Sequence, residues 1–363
     1  MSLVIHPSDF PSMADSHVDP ERLRRAKKAY TTRFLADALT LDASGYELWD
    51  ATPSAGDVVL ARVTDIGHHK RLESPASRRQ SMFVGDEILV AYGNRYAPDQ
   101  FRAVVPADLG PCSLVAGGGL AATVVEQHAD IIRATSIEPL GLLARNGVVV
   151  NLQDSAPHRV SSVTALPGRP QVIAVLGTSM NSGKSTTLGC LVNGLGRAGL
   201  TVSAGKATGT GAGNDPRLFT DAGAKRVLDF TDFGFPTTYL LDYPTVRGLL
   251  TSMIDALTTA ETDVVVVEIA DGVYQGETAR LLRDPVFHSA VDRVVFAAAD
   301  ALGAAAGVEV LRQAGVALAA VSGLLTASPL AAREASGVID APVIDTYELC
   351  NPSTAVKLLP ARK

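Results

Sequence analysis

Sulfur is scarce in this chain: only three cysteines, Cys112, Cys190 and Cys350, occur among 363 residues, each isolated from the others. An odd number without metal-ligand spacing excludes a disulfide framework and a zinc site, and points to a reduced, cytoplasmic protein. No stretch approaches the roughly 18 consecutive apolar residues of a membrane span. Met1–Pro20 is polar, is expected to fray, and lacks the basic start and apolar core of a secretory leader. An excess of positive charge is missing too, with 32 Lys and Arg against 38 Asp and Glu. Neither nucleic acid nor a membrane is therefore an expected partner; a small-molecule substrate and a homo-oligomeric assembly are. Aromatic residues make up only 5 %, so any cluster of them stands out.

What is present is a hydrophobic content of 47 % over a length that suits two domains, each with its own core. The stretch Gln171–Thr187, QVIAVLGTSMNSGKSTT, organises the second of them. Val172–Leu176 is a β-branched and apolar run suited to a buried parallel strand. Leu188, Leu191, Val192 and Leu195 then recur at the spacing of one helical face. A strand thus feeds a helix through a loop bounded by Gly177 and Gly183. Backbone N–H groups of such a loop converge on phosphate oxygens, and the helix N-terminus adds orphan donors and the positive end of its dipole. The expected nucleotide-binding residues are Gly177, Thr178, Ser179, Asn181, Ser182, Gly183, Lys184, Ser185 and Thr186. Lys184 would reach the β- and γ-phosphates and the Ser185 hydroxyl would ligate Mg²⁺.

Five residues, Thr178–Ser182, separate the two glycines, where the common loop has four. With that length the stretch resembles the Gly-Thr-x-x-x-x-Gly-Lys-[Ser/Thr] loop of the dethiobiotin synthetase and cobyrinic acid amide synthase group. That group lies within the wider class of P-loop proteins that includes MinD and the signal-recognition GTPases. The resemblance covers roughly Gln171–Asp345. Ser179 stands where MinD and ParA relatives carry a signature lysine, which argues against a nucleotide-sandwich dimer of that type. The resemblance implies ATP with Mg²⁺ as the cofactors.

Ahead of the loop the texture differs. Asp19-Pro20-Glu21 reads as an N-cap, a first-turn proline and an early acid, predicting a helix over Glu21–Leu39 whose basic residues form a solvated face. Asp57–Thr64, Asp86–Tyr92 and Phe101–Val105 read as strands of a small β-barrel or compact β-rich domain. His68-His69 reads as part of a polar loop, since adjacent residues on an extended chain face opposite ways and no third ligand is near. Gly117-Gly118-Gly119 marks a turn or a close approach, and Val148–Val150 closes a final strand pair. Asn151–Pro170 is the linker, with the boundary near Ala165, giving a β-rich domain at 1–165 with a leading helix and a P-loop domain at 166–363.

Beyond the loop, strands and helices alternate, as in a mainly parallel sheet with helices on both faces. Gly199 would end the loop helix. Thr201–Ala204 is the second strand, and the glycine-rich run Gly205–Asp215 follows it, with Lys206 at a strand end where ligands sit in open α/β sheets. The resemblance implies a phosphate- or substrate-facing role for Lys206. Phe230–Tyr243 is rich in aromatics and lines either a core or a substrate pocket, with Asp229, Asp232 and Thr237 as polar members. Asp263–Ile269 is the clearest central strand. Its Glu268, with Asp271 just after it, supplies a carboxylate facing the loop; either would hold Mg²⁺, together with Ser185. Tyr274, Gln275 and Glu277 follow on a lid or helix start. Arg293–Ala298, Val316–Val321 and Pro342–Asp345 read as further strands, Ala301–Ala314 and Pro352–Leu359 as helices. Fold analogy puts Asp300 and Ser322–Ser328 near a nucleotide base.

These features predict an α/β P-loop enzyme that uses Mg-ATP to phosphorylate a small-molecule carboxylate or similar group on the way to ligation. Lys184, Lys206 and Glu268 are its expected catalytic residues. Two alternatives stay open: a GTPase-like switch or assembly factor, for which no Asn-Lys-x-Asp guanine motif is present, and an acyltransferase-like relative that keeps the P-loop.

Overall fold

The computed structural model describes residues 17–161 and 166–360. They divide into two compact units, one running to Arg95 and resuming over Gln100–Ser155, the other made of Tyr96–Asp99 and the described residues from Ala156 onward. The division falls between Ser155 and Ala156, whereas the boundary expected near Ala165 lies outside the described residues, as do residues 1–16 of the stretch Met1–Pro20 expected to fray. His17 to Pro20 are instead held, with His17 bridged to Glu47, Val18 buried and Asp19 capping a helix that starts at Pro20.

In the first unit five strands form a closed ring. β1 (Val58–Asp65) pairs antiparallel with β2 (Glu87–Tyr92) and with β5 (Thr135–Arg145). β5 pairs with β3 (Cys112–Ala116), β3 with β4 (Leu120–Gln127), and β4 returns to β2 in parallel through Leu120 and Ala121. The ring is the small barrel that the β-rich runs predict, and Val59, Val63, Ile88, Val90, Leu114 and Ile137 fill its inside. The three-glycine run is the β3–β4 turn. Gly119 adopts φ +102, and a Cβ there would lie 2.1 Å from the Ala29 Cβ, so only glycine fits.

The long N-terminal helix does not form. α1 (Pro20–Arg25) starts at Asp19 as expected, but the chain leaves the helix at Ala26, and α2 begins only at Arg33 and runs to Leu41. Between them Lys27 and Lys28 pair with β2, Ala29 and Thr32 are fully buried, and Thr31 donates to Gly118 O. Sheet pairing and burial override a helix propensity that amounts to a few tenths of a kcal/mol per residue. The basic residues are neutralised internally: Arg22 holds Glu87 with two 2.8 Å hydrogen bonds and Lys27 pairs with Asp86. His69 is likewise no part of a polar loop. Its ring is half-buried, Nε2 lies 2.8 Å from Val115 O, and desolvation with Arg95 and His68 alongside depresses its pKa to about 3, so it is neutral.

The second unit is built on a parallel sheet of β6 (Gln171–Gly177), β7 (Val202–Lys206), β8 (Arg226–Asp229), β9 (Val264–Glu268), β10 (Arg293–Ala297) and β11 (Leu318–Ser322). Their order is β8-β7-β9-β6-β10-β11, with β6 and β9 in the middle. The four valines of β9 are at most 1 % exposed, and burying each contributes about 1.5–3 kcal/mol relative to solvent. Helices α3 (Lys184–Arg197), α4 (Asn214–Asp221), α5 (Tyr243–Leu257), α6 (Gly276–Leu281), α7 (Pro285–Ala290), α8 (Ala301–Gln313), α9 (Pro329–Val338) and α10 (Pro352–Val356) accompany it. Two separate apolar clusters include residues from alternate positions of β6: Val172, Ala174 and Leu176 in one, Ile173 and Val175 in the other. That is the two-faced burial expected of a doubly covered parallel sheet. Gly199, at φ +88, ends α3 as predicted. The strand expected over Pro342–Asp345 is only an isolated bridge from Val343 to Val321. No helix among the described residues is long and apolar enough to cross a membrane.

Candidate functional site: a phosphate-binding loop

β6 ends at Gly177 and α3 starts at Lys184, so Thr178–Gly183 is a loop at the carboxyl end of a central strand. Asn181 and Gly183 adopt φ +62 and +95. A Cβ on Gly177 would lie 2.3 Å from Ser182 Oγ, and one on Gly183 3.0 Å from Leu324 N. Neighbouring strands brace the loop: Thr178 N donates to Ala297 O at 3.0 Å and Leu324 N to Ser182 O at 2.9 Å. Ser322–Ser328 therefore touches the loop itself, while Asp300 caps α8 by accepting from Gly303 N. The N–H groups from Ser179 to Thr186 donate to no acceptor among the described residues. Converging orphan donors at a helix start form an anion-binding concavity.

Around this concavity the side chains are charged and buried. Lys184 is 6 % exposed and its Nζ donates to Ser179 O at 2.7 Å. Burial holds its pKa below the usual lysine value, opposed by Glu268 and Asp271. Lys206, on the last residue of β7, pairs with Asp215 and lies 3.6 Å from Glu268 Oε1. Burial disfavours its charge, but Asp215 and Glu268 outweigh it and raise the pKa. Glu268, 1 % exposed, is pushed the other way: burial first, then Asp215, raise its pKa against the pull of Lys206 and Lys184. The Ser185 hydroxyl acts on both Asp215 and Glu268.

Four buried side-chain atoms here have no hydrogen-bond partner: Thr178 Oγ1, Ser182 Oγ, Thr187 Oγ1 and Glu268 Oε2. Such atoms carry a desolvation penalty of about 1–3 kcal/mol each unless something satisfies them. A nucleotide phosphate and its Mg²⁺ suit this set: hydroxyls and N–H groups face an anion, and an unpartnered carboxylate oxygen beside Ser185 faces a cation. No cluster of three or more His, Cys, Asp or Glu able to hold a metal alone occurs among the described residues. Mg²⁺ needs none where phosphate oxygens and water complete its shell.

The second unit thus sets a glycine-bounded loop between a central parallel strand and a helix, the arrangement of a P-loop. No family model and no curated protein matches the chain. Solved structures similar to it include the signal recognition particle 54 kDa protein of Aeropyrum pernix in complex with GDP, at 20 % identity and TM-score 0.36, covering 57 % of this chain and 50 % of that one. FtsY of Thermotoga maritima is similar at 16 % identity and TM-score 0.33, covering 56 % of this chain and 65 % of that one. FtsY of Elizabethkingia anophelis is similar at 19 % identity and TM-score 0.31, covering 55 % and 68 %.

Lys184, Lys206, Ser185, Glu268 and Asp271, proposed separately along the chain, meet in this cluster. Asp271 acts electrostatically on both lysines, and a Cβ on the following Gly272 would lie 2.4 Å from Thr178 O. Thr186 is exposed at the start of α3, and Ser179 Oγ donates to Met180 O. The aromatic stretch splits. Phe230 and Phe233 enter the core, whereas Tyr239 and Tyr243 line a cavity. Asp229 and Asp232 form a reciprocal capping box on the 3₁₀ turn Phe230–Phe233 and are thereby structural. Two further carboxylates escape the sequence reading. Asp215 pairs with Lys206; the signal was its place at the end of the glycine run. Asp99 accepts from Asn181 Nδ2 at 2.8 Å, from 82 positions earlier, with no local signal at all.

Proposed function

We propose that the second unit binds Mg-ATP at Gly177–Thr186 and transfers or releases its γ-phosphoryl group, the acceptor being the carboxylate of a small molecule. The carrying observation is the orphaned Oε2 of Glu268, a residue on which Ser185 acts, with buried Lys184, mostly buried Lys206 and a row of free loop N–H groups. The loop N–H groups would cradle the phosphates. Lys184, released from Ser179 O, and Lys206 would offset the charge on the transferring group, and Ser185 with Glu268 would hold Mg²⁺, which neutralises phosphate charge when bound. In the transfer the carboxylate oxygen forms a bond to the γ-phosphorus, the bond to the β–γ bridging oxygen breaks, and its electron pair leaves with ADP; no proton is needed. The choice of ATP and of a ligation-type acceptor follows the loop's resemblance to dethiobiotin synthetase. A cytoplasmic setting and a homo-oligomeric assembly belong to the same proposal.

A nucleotide-dependent switch is the second reading. It is favoured by Asp271-Gly272, which leave β9 directly against Thr178 and would sense the γ-phosphate. Calorimetric titration of ATP and GTP, each with Mg²⁺, into wild type and Lys184→Ala tests both. The expected result is ATP binding that Lys184→Ala abolishes. A preference for GTP puts the switch first, and binding of neither nucleotide overturns the proposal.

A further inference from the structure

We infer that the cavity lined by Tyr96, Tyr239, Tyr243, Tyr274, Glu277 and Arg280 takes the small-molecule substrate, and that this substrate is an aromatic or otherwise planar carboxylic acid. The inference rests on the proposed phosphoryl transfer and names the chemical class of its acceptor. The cavity has a volume of about 540 Å³, enough for a small metabolite. Four tyrosines line it: the Tyr96 and Tyr239 rings lie 5.4 Å apart, and the centre of the Tyr243 ring lies 3.9 Å from the Arg280 guanidinium carbon.

The polar groups decide the charge of the occupant. Both Glu277 oxygens are engaged, one accepting from Leu240 N at 3.0 Å and the other from the Gln275 amide. The Tyr243 hydroxyl donates to Asp284 at 2.5 Å, and Asp284 also faces Arg247 at 3.7 Å. Arg280 stacks on Tyr243 and acts electrostatically on Asp284, yet gives no hydrogen bond to any acceptor among the described residues. The donor capacity left open in the cavity is therefore a guanidinium fork, whose geometry matches a carboxylate. Leu240, in the wall, is held at φ +63, a left-handed conformation that is strained for a bulky side chain and that Glu277 pins through the Leu240 N–H.

A short stretch leads from the phosphate loop to the cavity wall. Gly272 packs on Thr178, and Gln275 and Gly276 of the cavity wall follow within four residues. Asp271 acts on the Tyr96 hydroxyl, and Asp99 of the same short segment bonds Asn181 of the loop.

The test is saturation-transfer NMR titration of benzoate and cinnamate, with benzamide and cinnamamide as uncharged counterparts, against wild type, Arg280→Ala, Arg280→Lys and Lys184→Ala. The acids are expected to bind wild type and Lys184→Ala alike. Arg280→Ala should weaken them at least about tenfold, Arg280→Lys less, and the amides should bind far more weakly than the acids. Equal binding of acid and amide, an unaffected Arg280→Ala, or no binding of either acid overturns the inference. If the acids bind through Arg280 but Mg-ATP does not bind at all, the cavity assignment stands and the phosphoryl-transfer reading falls.

Discussion

Glu268 sits at the end of a fully buried strand with one carboxylate oxygen near Lys206 and the other without a hydrogen-bond partner. A buried carboxylate is unfavourable, and here burial together with Asp215 raises its pKa despite Lys206 and Lys184. A divalent cation at Oε2 would offset that penalty by giving the oxygen a positively charged partner, which makes Glu268 a better metal ligand than Asp271 on the loop beyond it. Accordingly, Glu268→Gln should raise the Mg²⁺ concentration needed for half-maximal nucleotide binding by at least about tenfold, and Asp271→Asn by much less. Mg²⁺ titrations at fixed ATP analogue measure this directly, and the reverse ranking would move the metal to Asp271. Lys206 keeps Asp215 as a partner in Glu268→Gln, so the variant is expected to fold.

At the scale of elements, the start of β6 is tied to β10 by one polar anchor. Arg169 holds Asp292 with hydrogen bonds of 2.6 and 2.8 Å, and Asp292 Oδ2 also accepts from Val172 N at 2.7 Å. Burial alone would raise the Asp292 pKa, but the Arg169 bonds and the Val172 N–H lower it below the usual range. A carboxylate depressed in the folded state contributes stability above its unfolded value, about 4, and loses it as pH falls through the folded value. Asp292→Asn should thus cost about 1–2 kcal/mol at pH 7, with the gap from wild type closing below about pH 4. Urea unfolding of both proteins at pH 7 and pH 3 checks the sign, and a gap that widens in acid would refute it. How legible such elements are depends on how local their causes are. β6, its loop and α3 could be read because apolar run, glycines and helix face are contiguous, and β9 because four valines admit little else. The break between α1 and α2 could not, since β2, some sixty positions away, supplies the pairing. Nor could Asp99 beside Asn181, or the single bridge left at Val343, where the next residues instead bring Thr346 to bond Gly323 N and the Ser322 and Thr326 hydroxyls.

For the molecule as a whole, nucleotide binding and stability are linked. A ligand that binds only the folded chain stabilises it by about 2.7 kcal/mol at a hundred times its Kd. Converting this into a melting shift requires the entropy of the unit that unfolds, about 2.1 cal/mol/K per residue. If all 363 residues melt together, the shift is about 3–4 °C; if the second unit, just over two hundred residues, melts by itself, it is about 6 °C. The barrel and the parallel sheet have separate apolar clusters, so the size of the shift reports which of them shares the cooperative unit with the loop. Differential scanning calorimetry with a non-hydrolysable ATP analogue and Mg²⁺ should give a shift within this range for wild type and none for Lys184→Ala, whose replacement removes a phosphate contact. A wild-type melting temperature indifferent to saturating analogue would mean that the loop, for all its orphan donors, does not hold a nucleotide.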